Sequence, residues 1–276
     1  MRDVEKIVYW KDAWEKKKMD TKKSEVFWDN RAAFFNTKVS LEKNESSDII
    51  DLLLKKEMLH EEMSVLDIGC GPGKHTIPMA RIVKKITALD ISENMLNHLQ
   101  NNAKKMNLDN IKTLKKDWKD IDLEKEGWNK AFDFVFASMT PGVFDFNTLE
   151  KMTKASKNYC FLSGFVDRED SIFDEVEAEI SKIYSLEKRK DKKVYYAFNV
   201  LWHLGYTPEV FYLNREWEDI RTVEETWQLY VDKISMQVEL KEEEKMYIKE
   251  ELKKHQNNGK VKEKTKVKIG VLTWSV

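Results

Sequence analysis

The chain has 276 residues, 41% hydrophobic and 11% aromatic, which is ample for a packed core and too apolar for general disorder. Its 48 basic and 49 acidic residues leave a net charge of -1, which argues against a chain built as a basic nucleic-acid clamp. Two cysteines, Cys70 and Cys160, are too few for a disulfide framework or a zinc site and read as buried free thiols.

The N-terminus, MRDVEKIVYWKDAWEKKK, lacks the apolar core of a signal peptide. No window reaches the roughly 18 apolar residues of a membrane span. Together with the free thiols, these features predict a cytoplasmic protein.

Residues 1 to about 60 read as helices, with no strand pattern. Val4, Ile7 and Val8 share a helical face, and Ser47 is a candidate cap for DIIDLLLKKEMLH. From residue 64 the pattern alternates. MSVLDIG reads as a strand and TIPMARIV as a short helix, with Pro78 in a first turn where a missing N–H does no harm. KITALD is a second strand. Ser92 caps the helix ENMLNHLQNNAKKM, whose apolar stripe is Met95, Leu96 and Leu99. NIKTLKKD and FDFVFAS are the third and fourth strands, a helix covers 146–156, and NYCFLSG is the fifth strand. Strands alternating with helices predict an α/β fold with a doubly wound, mostly parallel sheet.

After Gly164 the rhythm breaks. A charged helix is expected over 171–190, and the aromatic YYAFNVLWHLGY is helical. PEVFYLN is a sixth strand, which Pro208 confines to a start or an edge. Helices follow in ETWQLYVDKI and KEEEKMYIKEELKKHQ, NNG marks a turn, and KVKIGVLTWSV is the last strand. The Lys-rich segments at 11–23 and 251–268 read as solvated surface.

The stretch VLDIGCGPGKHT, residues 65–76, carries the chemistry. A dinucleotide turn needs G-x-G-x-x-G. Gly69 and Gly71 supply the first two glycines, but the third position is Lys74 and the glycine stands at 73. The pattern is therefore D-x-G-x-G-x-G, led by Asp67. A pyrophosphate wants bare N–H donors at a helix start, and an acid opposes it. A ligand carrying a sulfonium and an ammonium is favoured by that acid. Asp90, ending the second strand, is placed to accept from ribose hydroxyls. Asp117, after the third strand, is placed to accept from an adenine amino group, with the Trp118 indole packed on the ring.

Together, the D-x-G-x-G-x-G loop, Asp90, Asp117-Trp118 and FDFVFAS resemble the class I S-adenosylmethionine-dependent methyltransferases over about residues 60–165. The resemblance implies a Rossmann-like, seven-stranded sheet whose last strand is antiparallel. It further implies an N-terminal helical lid over 1–60, with FWDNRAAFFN folding over the cofactor, and a methyltransferase domain over 61–276 with an insertion at about 165–207. The implied cofactor is S-adenosylmethionine, with S-adenosylhomocysteine as product. The implied cofactor set is Asp67, Gly69, Cys70, Gly71, Gly73, His75, Asp90, Ile91, Met95, Asp117, Trp118, Ser138 and Met139.

The sequence departs from the Asn/Asp-Pro-Pro-Tyr/Phe motif of related adenine and glutamine N-methyltransferases. Ser138-Met139-Thr140-Pro141-Gly142 stands there instead, which suits a small-molecule acceptor. Candidate acceptor residues are Trp28, Arg31, Thr140, His203 and Tyr206; Trp28 also reads as ordinary packing and His203 as a core histidine. In-line methyl transfer needs alignment and exclusion of water rather than a catalytic dyad. No metal-ligand spacing is present, and the chemistry requires no metal. RNA or protein acceptors, and a non-catalytic S-adenosylmethionine-binding protein, are the alternative readings.

Overall fold

The structure, a computed structural model, describes residues 4–14, 21–39, 41, 48–185 and 192–276. The N-terminal helices are α1 (Val4–Trp14), α2 (Thr21–Asn36) and α3 (Asp48–Lys55). The cap expected at Ser47 and much of the Lys-rich 11–23 lie outside the described residues.

Alternation then proceeds through β1 (Ser64–Ile68), α4 (Thr76–Ala80), β2 (Lys85–Asp90), α5 (Glu93–Lys105), β3 (Ile111–Lys115), β4 (Phe132–Ser138), α6 (Phe146–Ala155) and β5 (Ser156–Asp170). The fourth strand has the bounds its apolar run predicts. Ser92 caps α5 as expected, its hydroxyl accepting from Met95 N at 3.1 Å.

The remaining elements are α7 (Phe173–Tyr184), α8 (Lys193–His203), β6 (Glu209–Thr222), α9 (Val223–Ser235), α10 (Glu242–Lys254), the two-residue β7 (Gln256–Asn257) and β8 (Lys260–Ser275). The strand order is β3-β2-β1-β4-β5-β8-β6, with β7 pairing beside β8. β1 pairs in parallel with β2 and β4, and β3 and β5 extend that parallel set outward. β8 runs antiparallel to β5. Val276 N bonds to Asn158 O, and Ser171 N to Lys264 O, so one strand's numbering rises as the other's falls.

Three strands are longer than their apolar runs. β5 continues to Asp170, so the helix expected from 171 starts at Phe173. β6 continues to Thr222, and β8 begins at Lys260. Charged alternation conceals these extensions. Along β8, Val261, Glu263, Thr265 and Val267 are buried while the intervening lysines are exposed, the period-2 signature of a sheet with one wet face. The lysines of 260–268 are therefore solvated, as expected.

Compactness divides the chain into two units. The first comprises Met1–Gly164, Lys193–Phe211 and Val271–Val276; the second comprises Phe165–Lys192 and Tyr212–Gly270. Residues 165–207 are thus shared between both units. In the first unit, α1, α6 and α8 cover one sheet face with Trp14, Leu149, Met152, Val200 and Leu201 against Leu66, Val135, Ala137 and Leu272. The second unit has its own core of Phe173, Val176, Ile180, Tyr230, Ile234, Ile248 and Leu252. Its buried Glu263 accepts from Ile172 N and Phe173 N, both at 3.0 Å, at the start of α7.

Candidate cofactor and acceptor site

β1 is buried throughout, and the chain must turn as it leaves Ile68. It does so through Gly69, Gly71 and Gly73, whose φ values are +69°, +55° and +97°. Space separates their roles. A Cβ at Gly69 would lie 2.0 Å from Thr140 Oγ1, and one at Gly73 would lie 2.5 Å from Leu99 Cδ1. These two glycines let the loop sink into the domain. A Cβ at Gly71 would meet only Met95 Sδ, at 3.9 Å. Gly71 is the open part of the cradle.

The three expected carboxylates stand at the ends of consecutive strands. Asp67 is buried and accepts from Thr76 Oγ1 at 2.6 Å. Burial pushes its pKa up to about 7, against the Thr76 hydrogen bond and with help from Asp90. Asp90 accepts from Gly71 N and Ser92 N, both at 2.9 Å, one on each oxygen. Its pKa is also raised by burial. Each oxygen keeps acceptor capacity for a further donor. Asp117 accepts from Lys119 N at 3.2 Å and from Thr21 Oγ1 at 3.2 Å.

Around the loop, Cys70 and Met95 are buried. Burial raises the Cys70 thiol, and neighbouring Asp90 and Asp67 add to that. Ile91 lies half-buried between Asp90 and Ser92. His75 packs its ring on Phe136, with centroids 5.4 Å apart, and its Nδ1 is buried without a hydrogen-bond partner. Burial, aided by Lys74, lowers the imidazole pKa to about 3, so the ring is neutral. At the end of β4, Ser138 Oγ lies 3.0 Å from Ser163 Oγ, and Met139 takes φ +54° with its N–H on Ser163 Oγ at 3.1 Å.

Two expected roles meet a different geometry. The Trp118 indole is 1% exposed, and its Nε1 donates to Thr148 O at 3.0 Å, so the ring belongs to the core and offers no free face for stacking on adenine. Thr140 is also buried; its Oγ1 accepts from Gly142 N, and its carbonyl accepts from Lys193 Nζ at 2.6 Å. It is a wedge behind Gly69 rather than a wall of an open pocket.

Helix α2 supplies what the motifs left out. Thr21 bonds to Asp117, and Glu25 pairs with Lys115 at 2.8 Å. Asp29 accepts from Ser92 Oγ at 2.5 Å and Asn94 N at 3.1 Å. Asn36 accepts from Asn102 Nδ2, which also donates to Pro72 O in the glycine loop. Residues 21, 25, 29 and 36 share one helical face, so α2 lies along the ends of β3 and β2 and the start of α5. Asp29 carries no motif; only its spacing, i, i+4 from Glu25 and i, i+8 from Thr21, hints at a shared face.

Trp28 Nε1 is buried without a hydrogen-bond partner, and its ring meets Phe27 and Phe35. Arg31 lies over the rings of Phe27, Phe34 and Phe35 at 5.3 to 5.6 Å. His203 and Tyr206 are half-buried at the far end of α8, Tyr206 against the core that holds Trp14. No contact brings them to the glycine loop. Among the described residues, no cluster suits a metal ion, and no helix is long and apolar enough to cross a membrane.

The donor set fits a cationic nucleoside. The Asp67 and Asp90 carboxylates stand at the loop, and Gly71 leaves room beside Met95.

Comparison with known proteins agrees. The profile of a methyltransferase-domain family matches residues 59–268. An uncharacterized protein of Haemophilus influenzae is 31% identical over 133 residues, 46% of this chain and 47% of that protein. The chain spans less than half the length of the curated relatives it matches. A Bacillus halodurans protein assigned to the methyltransferases superposes with a TM-score of 0.51 at 16% identity, over 83% of this chain and 99% of that one. A coclaurine N-methyltransferase bound to N-methylheliamine and SAH superposes with a TM-score of 0.52 at 12% identity, over 99% of this chain and 88% of that one. These likenesses establish the fold. The family profile makes the chain a member of the methyltransferase-domain family, and the superpositions give it the class I methyltransferase fold.

Proposed function

We propose that this enzyme methylates a small-molecule acceptor beneath α2, beside the end of β4. The carrying observation is the face of α2. Thr21, Glu25, Asp29 and Asn36 engage the rim in succession, and a rim covered in this way suits a small acceptor better than a polymer.

In this reading the segment 1–60 acts as a lid. Asp67, Gly71 and the neutral His75 hold the amino-acid end of the cofactor, and Asp90 holds the ribose. Asp117 accepts from the adenine amino group. When bound, S-adenosylmethionine supplies a methyl group already activated by its sulfonium. The protein orients the acceptor and excludes water. Trp28 and Arg31 from α2, with Ser138 and Met139 after β4, are the residues assigned to the acceptor in this reading. The buried free thiols suit a cytoplasmic setting.

The test is calorimetric titration with S-adenosylmethionine, S-adenosylhomocysteine and NAD, followed by an acceptor screen using isotopically labelled methyl donor. Micromolar binding of the sulfur compounds alone, then labelling of a small acceptor, is expected. Labelling confined to RNA or protein overturns the acceptor class.

A further inference from the structure

The short 3-10 turn Trp118–Asp120, which follows Asp117, is three residues long. It is held from α6. Lys151 Nζ donates to Trp118 O at 3.0 Å, Lys119 O at 2.9 Å and Ile121 O at 2.7 Å. An ammonium has three donors, and all three are spent on this turn. Thr148, one turn earlier on α6, accepts the Trp118 indole N–H, and Lys151 Nζ lies 5.4 Å from the centre of that ring. Asp117 in turn closes the loop on Lys119 N. Helix α6 is itself anchored, since Asp145 and Thr148 form a reciprocal capping box at its start.

We propose that Lys151 is a positioning residue for the adenine end of the cofactor: it clamps the turn after β3 and so aims the Asp117 carboxylate, without touching the cofactor. This inference rests on the reading of Asp117 given above. Burial lowers the Lys151 pKa, while Asp120, Asp117, Asp145 and Asp122 oppose that shift. The cation thus sits among acids that favour its charge. Arginine is a poor substitute, because a planar fork cannot place three donors at one point.

The test compares S-adenosylhomocysteine with its 6-oxo counterpart, in which the adenine amino group is replaced by a carbonyl. A correctly aimed Asp117 rejects the 6-oxo compound by roughly tenfold or more in the wild type. In folded K151M that preference should fall towards one, and K151R should lie between. A purely structural role weakens both ligands by the same factor and leaves the ratio unchanged. An unchanged ratio in K151M overturns the proposal; if K151M does not fold, the ratio in K151R decides. D117N separates the two levels of the argument. Loss of preference in D117N but not in K151M sinks only the role of Lys151. No preference in wild type and no effect of D117N sinks the adenine reading itself.

Discussion

Thr140 occupies the space that a side chain at Gly69 would need: a Cβ there would lie 2.0 Å from Thr140 Oγ1 and 2.5 Å from Thr140 Cβ. The contact joins the loop after β1 to the loop after β4. G69A therefore combines a steric clash with a left-handed backbone. It is expected to destabilise the fold by about 2–5 kcal/mol. In G69A/T140G the clash component should be relieved while the φ component remains, giving a coupling of roughly 1–3 kcal/mol in a double-mutant cycle. Thermal or denaturant unfolding of the four proteins measures it; strict additivity would show that the two loops do not share this contact.

In the proposed reading, Asp67 links cofactor binding to protons. Its carboxyl is raised to about 7 by burial, so near neutral pH it is partly protonated. A cationic ligand selects the ionised form. Affinity for S-adenosylmethionine should rise from pH 6 to pH 8 and release a fraction of a proton, detectable by calorimetry in buffers of different ionisation enthalpy. S-adenosylhomocysteine, which keeps the ammonium of the amino-acid end, should show a dependence in the same direction. An affinity flat across that range would be incompatible with this role.

The same residue sets a stability slope. A folded pKa above the unfolded one favours the fold below the unfolded value of 3.8, and that advantage is lost as pH rises to about 7. The lost contribution is on the order of 4 kcal/mol. D67N should therefore melt at a higher temperature than wild type at pH 8 and close to wild type at pH 4, while binding cofactor more weakly. Equal melting shifts at both pH values would contradict the assignment.

Removing the Asp90 carboxylate leaves Gly71 N and Ser92 N without their partner and, in the proposed reading, removes the ribose acceptor. D90A should fold but bind S-adenosylhomocysteine roughly 10- to 100-fold more weakly. Unchanged affinity in a folded D90A protein would mean that the ribose lies elsewhere.

Asp29 is predicted to fasten α2. D29A removes an acceptor for both Ser92 Oγ and Asn94 N. Hydrogen exchange in α2 should accelerate, and dissociation of S-adenosylhomocysteine should quicken by about tenfold. The Ser92 cap on Met95 N is retained, so α5 should stay intact. Faster exchange in α5 instead of α2 would assign Asp29 to helix stability alone.

Much of the parallel half of the sheet was readable because each strand is a closed apolar run between turn signals, as in KITALD and FDFVFAS. The glycine loop was readable because its residue types answer a local demand, φ above zero and close approach of the backbone. The extension of β8 was not, because lysines fill its wet face and mask the buried alternation, and those of β5 and β6 were not, because they are mostly charged and largely unburied. The burial of Thr140 behind Gly69 has no sequence signal, because an uncharged polar residue beside a strand end reads equally as pocket or wedge.

By itself, the sequence determined the fold class, the glycine loop and the three carboxylates at successive strand ends. These depend on periodicity and on spacings within a few residues. Tertiary structure alone decided that Asp29 meets Ser92, 63 residues away, that Lys151 holds the turn after Asp117, and that Trp118 faces the core. Such pairings leave no local trace, because hydrogen bonds between distant segments are set by how helices pack on the sheet and not by the residues flanking either partner.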